Sequence, residues 1–128
     1  MRWAWALAGI ALIAMSSNSR ADDRVDCLEA AETGVRIKGC STVIDANPND
    51  APAYYTRGIA YQSRGEIDRA IADYSSAIEL NPYHASAYEA RARAYAGKGD
   101  YVHAVADVTK AGELISTSAA PIRQSTSN

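Results

Sequence analysis

Residues 51–84 and 85–118 form two lines of 34 that repeat one another, with the same residue at thirteen of the 34 positions. The identities include Ala53/Ala87, Tyr54/Tyr88, Arg57/Arg91, Ala60/Ala94, Tyr61/Tyr95, Gly65/Gly99, Ala70/Ala104, Asp73/Asp107 and Ala77/Ala111. A fixed period of this length is the mark of stacked supersecondary units, each of which needs its neighbours to cover its apolar surface. The chain is constrained to a stack before any single residue is considered.

Arg64-Gly65-Glu66 and Lys98-Gly99-Asp100 divide each line into two helical patterns, glycine closing the first and an acidic residue opening the second. In the first helix Tyr54, Gly58 and Tyr61, and again Tyr88, Ala92 and Tyr95, fall at i, i+4 and i+7, which puts two rings and one small residue on one face. In the second helix Ala70, Tyr74 and Ala77, then Ala104, Val108 and Ala111, supply the facing side. Small residues let the two backbones approach while the rings fill the space around them. Asn81-Pro82 ends the first unit, because proline disfavours helix at the residue before it.

This order of residues resembles the tetratricopeptide repeat family. Tyr54 stands at the family's tryptophan, Gly58 at its glycine, Tyr61 at its tyrosine, Ala70 at its alanine and Tyr74 at its phenylalanine, and Ala77 and Pro82 complete the pattern. The second unit (85–118) matches at Tyr88, Ala92, Tyr95, Ala104 and Ala111, but has Val108 for the aromatic residue and Ser116 for the proline. The resemblance covers about half of the chain. It implies an all-α fold, a short right-handed superhelical solenoid of antiparallel helix pairs, about two and a half units long. Arg57 and Arg91 replace the family's usual leucine, and Asp73 and Asp107 follow sixteen residues later in both units. Two ion pairs are therefore expected, the alternative being that both arginines extend to water.

Length and a formal net charge of -2 allow one small domain and argue against broad electrostatic contact with nucleic acid. Arg2, an apolar run from Trp3 to Met15, and small residues at Ser19 and Ala21 predict a secretory leader, residues 1–21, cleaved after Ala21. A membrane anchor is the alternative, but thirteen apolar residues fall short of the roughly 20 that span a bilayer. A periplasmic or secreted protein with no stable span after cleavage is expected. Cleavage removes Arg2 and Arg20, leaving 11 basic against 15 acidic residues, a net charge of -4.

Cys27 and Cys40 are the only cysteines and stand thirteen positions apart, in a chain routed out of the reducing cytoplasm. A disulfide is expected, two free thiols being the alternative, and two cysteines with no nearby histidine cannot supply the four ligands of a structural zinc site. Ile44-Asp45-Ala46-Asn47-Pro48 lies 34 residues before Ile78-Glu79-Leu80-Asn81-Pro82, so the phase of the repeat continues upstream. Residues 22–50 thus read as a degenerate leading half-repeat, with Val35 to Ala46 as its second helix and a short segment around Val25 to Ala31 as its first. Asp50 is placed to cap the helix that follows, with Pro52 in its first turn. The apolar period stops at Leu114 in a Ser/Thr-rich stretch, and residues 119–128 read as a flexible tail. No polar helix caps the last unit.

For catalysis the sequence offers little. His84 lies in a turn and His103 near the start of the last helix, without a consistent partner, and there is no phosphate loop, nucleophile elbow or metal-ligand spacing. A non-enzyme without cofactor or metal is expected. In the tetratricopeptide family the first helices line a concave groove, and the residues that packing leaves there are Tyr55, Ile59 and Gln62, then Glu89 and Arg93. The resemblance implies an apolar floor from Tyr55 and Ile59 with polar selection by Glu89 and Arg93, unless the leading helix covers the first two. The lysines and asparagines with which family members clamp a carboxylate tail are absent from these positions. Two functions remain open. One is a protein-protein interaction module or adaptor that binds a peptide or partner protein in the groove. The other is a self-associating structural protein of the cell envelope, a homo-oligomer formed through the uncapped repeat end.

Overall fold

The computed structural model describes residues 19–119. Six helices follow one another: α1 (Ser19–Glu29), α2 (Thr33–Ala46), α3 (Ala51–Ser63), α4 (Ile67–Leu80), α5 (Ala85–Gly97) and α6 (Tyr101–Ser118). No strand occurs among the described residues. Helices pair as α1 with α2, α3 with α4 and α5 with α6, and the pairs stack through α2 on α3 and α4 on α5. This is the all-α solenoid that the repeat implies. The leader expected at residues 1–21 lies outside the described residues except for Ser19–Ala21, and the expected tail except for Ala119.

Local chemistry sets the helix ends. Gly65 and Gly99 adopt φ of 77° and 80°, a left-handed conformation that glycine enters without a Cβ penalty. Around them the N–H of Gly65 donates to Gln62 O (3.0 Å) and that of Glu66 to Tyr61 O (2.9 Å), and Gly99 and Asp100 repeat both bonds. The pattern is a Schellman ending. At the N-termini, Asp50 Oδ1 accepts from the Ala53 N–H (3.0 Å) as expected, and Asp100 Oδ1 from the His103 N–H (3.2 Å). Hydrogen bonds from the His103 backbone and ring hold the Asp100 carboxyl below the usual carboxylate range.

The two predicted ion pairs are present. Arg57 Nε and Nη2 donate to Asp73 Oδ2 and Oδ1, both at 2.8 Å, and Arg91 makes the same fork on Asp107 at 2.7 and 2.8 Å. The remaining Nη1 of each arginine reaches back one unit, to Ser41 Oγ and Ser75 Oγ at 3.0 Å. Each arginine therefore fastens its own hairpin and the one before it. Tyr54 and Tyr61 lie beside the Arg57 guanidinium at 5.7 and 5.8 Å, and Tyr88 and Tyr95 beside Arg91 at 5.7 and 5.9 Å. The hydrogen bond to each aspartate raises the arginine pKa further, against the opposing effect of burial.

The small residues act as the facing pattern requires. A Cβ on Gly58 would come within 2.7 Å of the buried Tyr74 ring, so glycine here is what admits the ring. The second unit carries the matched change, Ala92 with Val108. Ala70 and Tyr74 of α4 meet Ala90 and Ala94 of α5 with Ile67 and Ile71 beside them, and Ala77 and Ile78 meet Ala87.

The leading unit is built differently. α1 starts at Ser19 and spans 11 residues, against 13 in α3 and α5, and so is longer and earlier than the segment expected around Val25 to Ala31. By the 34-residue phase, Ser19, Asp22 and Asp26 occupy the positions of Ala87, Ala90 and Ala94. With acids at these positions, α1 has no apolar period to read. Asp23 and Gly39 stand where the arginine and aspartate of later units stand, so that pair is missing. In its place a disulfide joins the buried Cys27 and Cys40, their Cα atoms 4.4 Å apart. A Cβ on Gly39 would lie 2.7 Å from Cys27 N and 2.8 Å from Asp23 O, so the glycine permits this close approach of α1 and α2.

Candidate protein-binding site

The first helices α3 and α5 bring residues of two units to one side of the stack. Ile59, Gln62 and Ser63 from α3, Arg93 from α5 and Tyr74 from α4 line one shallow hollow. Glu89, Ala92, Arg93 and Ala96 with Ala104 and Val108 of α6 line a second. Arg93 borders both. Among the described residues Glu89 and Arg93 are exposed and make no ion pair, so both charges are available to a ligand.

Gln62 is fixed, because its Oε1 accepts a hydrogen bond from the Tyr74 hydroxyl at 2.7 Å. Burial pushes the Tyr74 pKa up to about 12, with Tyr55 adding to the shift and Arg93 opposing it. The hydroxyl stays a neutral donor through the physiological range, leaving the Gln62 amide nitrogen to face the hollow. Ile59 is 37% exposed and supplies apolar surface beside it.

Of the five residues expected on the binding face, Ile59, Gln62 and Arg93 come together, and Glu89 joins Arg93 in the neighbouring hollow. Tyr55 stands apart. It is half-buried, its ring 6.0 Å from Tyr74 and 4.8 Å from His84, and so belongs to the packing between α4 and the turn into α5. The leading helix is thus not what covers Tyr55, and it leaves Ile59 open. His84, which sequence reasoning left as an unremarkable turn residue, caps α5 by accepting the Ala87 N–H at Nδ1 (3.2 Å). The signal was available, since His84 lies 34 residues after the cap Asp50. Ser41 and Ser75 were missed too, although each lies sixteen residues before a ladder arginine.

The model of the tetratricopeptide repeat matches residues 51–84, the hairpin of α3 and α4. The chain is a tetratricopeptide-repeat protein. Similar solved structures include a crystal structure of MamA, 34% identical with a TM-score of 0.67 over 79% of this chain and 56% of that one. A second MamA crystal structure is 31% identical with a TM-score of 0.64, covering 80% of this repeat protein and 55% of that chain. MamA from Desulfovibrio magneticus RS-1, from residue 41 onward, is 25% identical with a TM-score of 0.69, covering 77% and 55%. The chain thus spans little more than half the length of these structures. No curated protein matches it. Among the described residues of this tetratricopeptide-repeat protein, no group of three or more His, Cys, Asp or Glu side chains is placed to hold a metal ion, and no helix is long and apolar enough to cross a membrane.

Proposed function

We propose that the chain is an exported protein-protein interaction module, an adaptor that takes a peptide or partner protein in the groove along α3 and α5, rather than an enzyme. The observation that supports it is the meeting of Ile59, Gln62 and Arg93, from two different units, around one open hollow. The residues shared by the units are occupied with packing, whereas these positions differ between units, as specificity requires. Arg93 suits an acidic group, Glu89 a basic one, and Ile59, Ala92 and Val108 an apolar side chain between them. Self-association draws on α6 rather than on this groove.

Partner capture from an envelope extract tests the groove. Arg93→Glu and Ile59→Ala variants that keep their helical circular dichroism should lose the partner that the unaltered chain and Arg69→Ala retain. Loss on removing residues 119–128, with retention by both groove variants, would move the site to the tail. His84→Ala is unsuitable as a control, because it removes the cap of α5.

Export is proposed from the leader. Cleavage after Ala21 leaves Asp22–Glu29 of α1 and removes Trp3 and Trp5, so the mature protein should start at Asp22 and fluoresce from tyrosine alone. N-terminal sequencing of the envelope fraction checks this, and an intact Met1 there would contradict it.

A further inference from the structure

α6 meets α5 through the buried Ala104, Asp107 and Ala111 and leaves the adjoining face open. On that face Tyr101, Val105, Val108 and Ile115 are 68%, 65%, 58% and 48% exposed. With Gly112 they fall at i, i+4, i+7, i+11 and i+14, within about 40° of one line along the helix. No charged residue interrupts the stripe. Lys110 lies on the opposite side of the helix, and Glu113 about a third of a turn away.

The stripe continues an interface already present in the molecule. Thirty-four residues earlier the same positions are Ile67, Ile71, Tyr74 and Ile78, which α5 covers with Ala87, Ala90 and Ala94. The chain has no equivalent cover for α6. Residues 120–128 number nine, against the 13 of α5, and residues 1–18 join the stack at α1, its other end.

From this we infer that a second copy of the chain docks on the open face, the two α6 helices lying antiparallel across a two-fold axis at Val108. That register sets Tyr101 against Ile115 of the other copy and Val105 against its Gly112, large against small, with Val108 meeting Val108. The contact is isologous and closes at two copies. Head-to-tail stacking is opposed by the other end of the molecule. There Ser19, Asp22 and Asp26 hold the positions that would meet the stripe, and carboxylates buried on valines would lose water without gaining a partner.

The test is the solution mass of the mature full-length chain over a concentration series. The mass should rise from one copy to two and stop there. Val105→Glu and Val108→Glu, at exposed positions that carry no folding cost, should stay at one copy throughout, while Asp22→Ala with Asp26→Ala should still double. In the same chain Val108→Cys should cross-link to itself on mild oxidation, and Lys110→Cys should not. A single-copy mass at every concentration, growth past two copies, or doubling that survives Val108→Glu would overturn the proposal.

Discussion

Asp73→Ala should destabilise the chain by about 3–5 kcal/mol, the cost of removing one partner from a buried ion pair. Asp73 is 7% exposed and Arg57 18%, so the cation would be left in a poorly hydrated site between two tyrosine rings with only Ser41 to receive it. The magnitude is large because the fork is bidentate and ties three helices, α2, α3 and α4, at one point. Replacing both partners by apolar residues, Arg57→Leu with Asp73→Ala, should recover most of the loss, since no charge is then left unpaired. Asp107→Ala should cost less in global unfolding despite the same geometry, because the last unit has a neighbour on one side only and opens locally. Urea unfolding of the singles and the double gives the coupling energy directly. Coupling within error of zero would mean that the arginine reaches water and the pair is incidental.

Reduction of the Cys27–Cys40 disulfide should cost about 3 kcal/mol in the chain-entropy model for a loop of this length. A small domain holds only about 5–15 kcal/mol in total, so the effect should appear as a large fall in melting temperature. The loss falls on the unit least able to bear it, where Asp23 and Gly39 replace the ion pair that holds the other two hairpins. α1 should therefore detach first. Comparing thermal melts with and without reductant, and counting free thiols in the natively exported protein, checks both halves of the argument. Two titratable thiols in that protein, or melts that superimpose, would contradict it.

How far the sequence could be read follows from how the information is stored. Features that recur every 34 residues were legible from the chain itself: the hairpin glycines, the alanine faces and the pairing of Arg57 with Asp73. Their periodicity multiplies a weak local signal. α1 was harder, because its residues at the stacking positions are acidic and the helix is held by one covalent bond rather than by an apolar face. The candidate groove was partly legible by subtraction, since residues that differ between units and are not needed for packing are the ones left exposed. Subtraction failed for Tyr55, whose fate depends on the ring of His84 from the turn after α4. That contact links residues 29 positions apart, outside both the helical period and the repeat period.

Site-specific photo-crosslinking in the native cell envelope tests the binding groove most directly. A benzophenone side chain placed at Ile59 or Arg93, both exposed and on the groove side, should trap the same partner as one adduct of common mass. The same probe at Ala72 or Glu79, exposed positions on the second helix α4, should trap none. Adducts from α4 with none from Ile59 and Arg93 would contradict the account and place recognition on the outer helices.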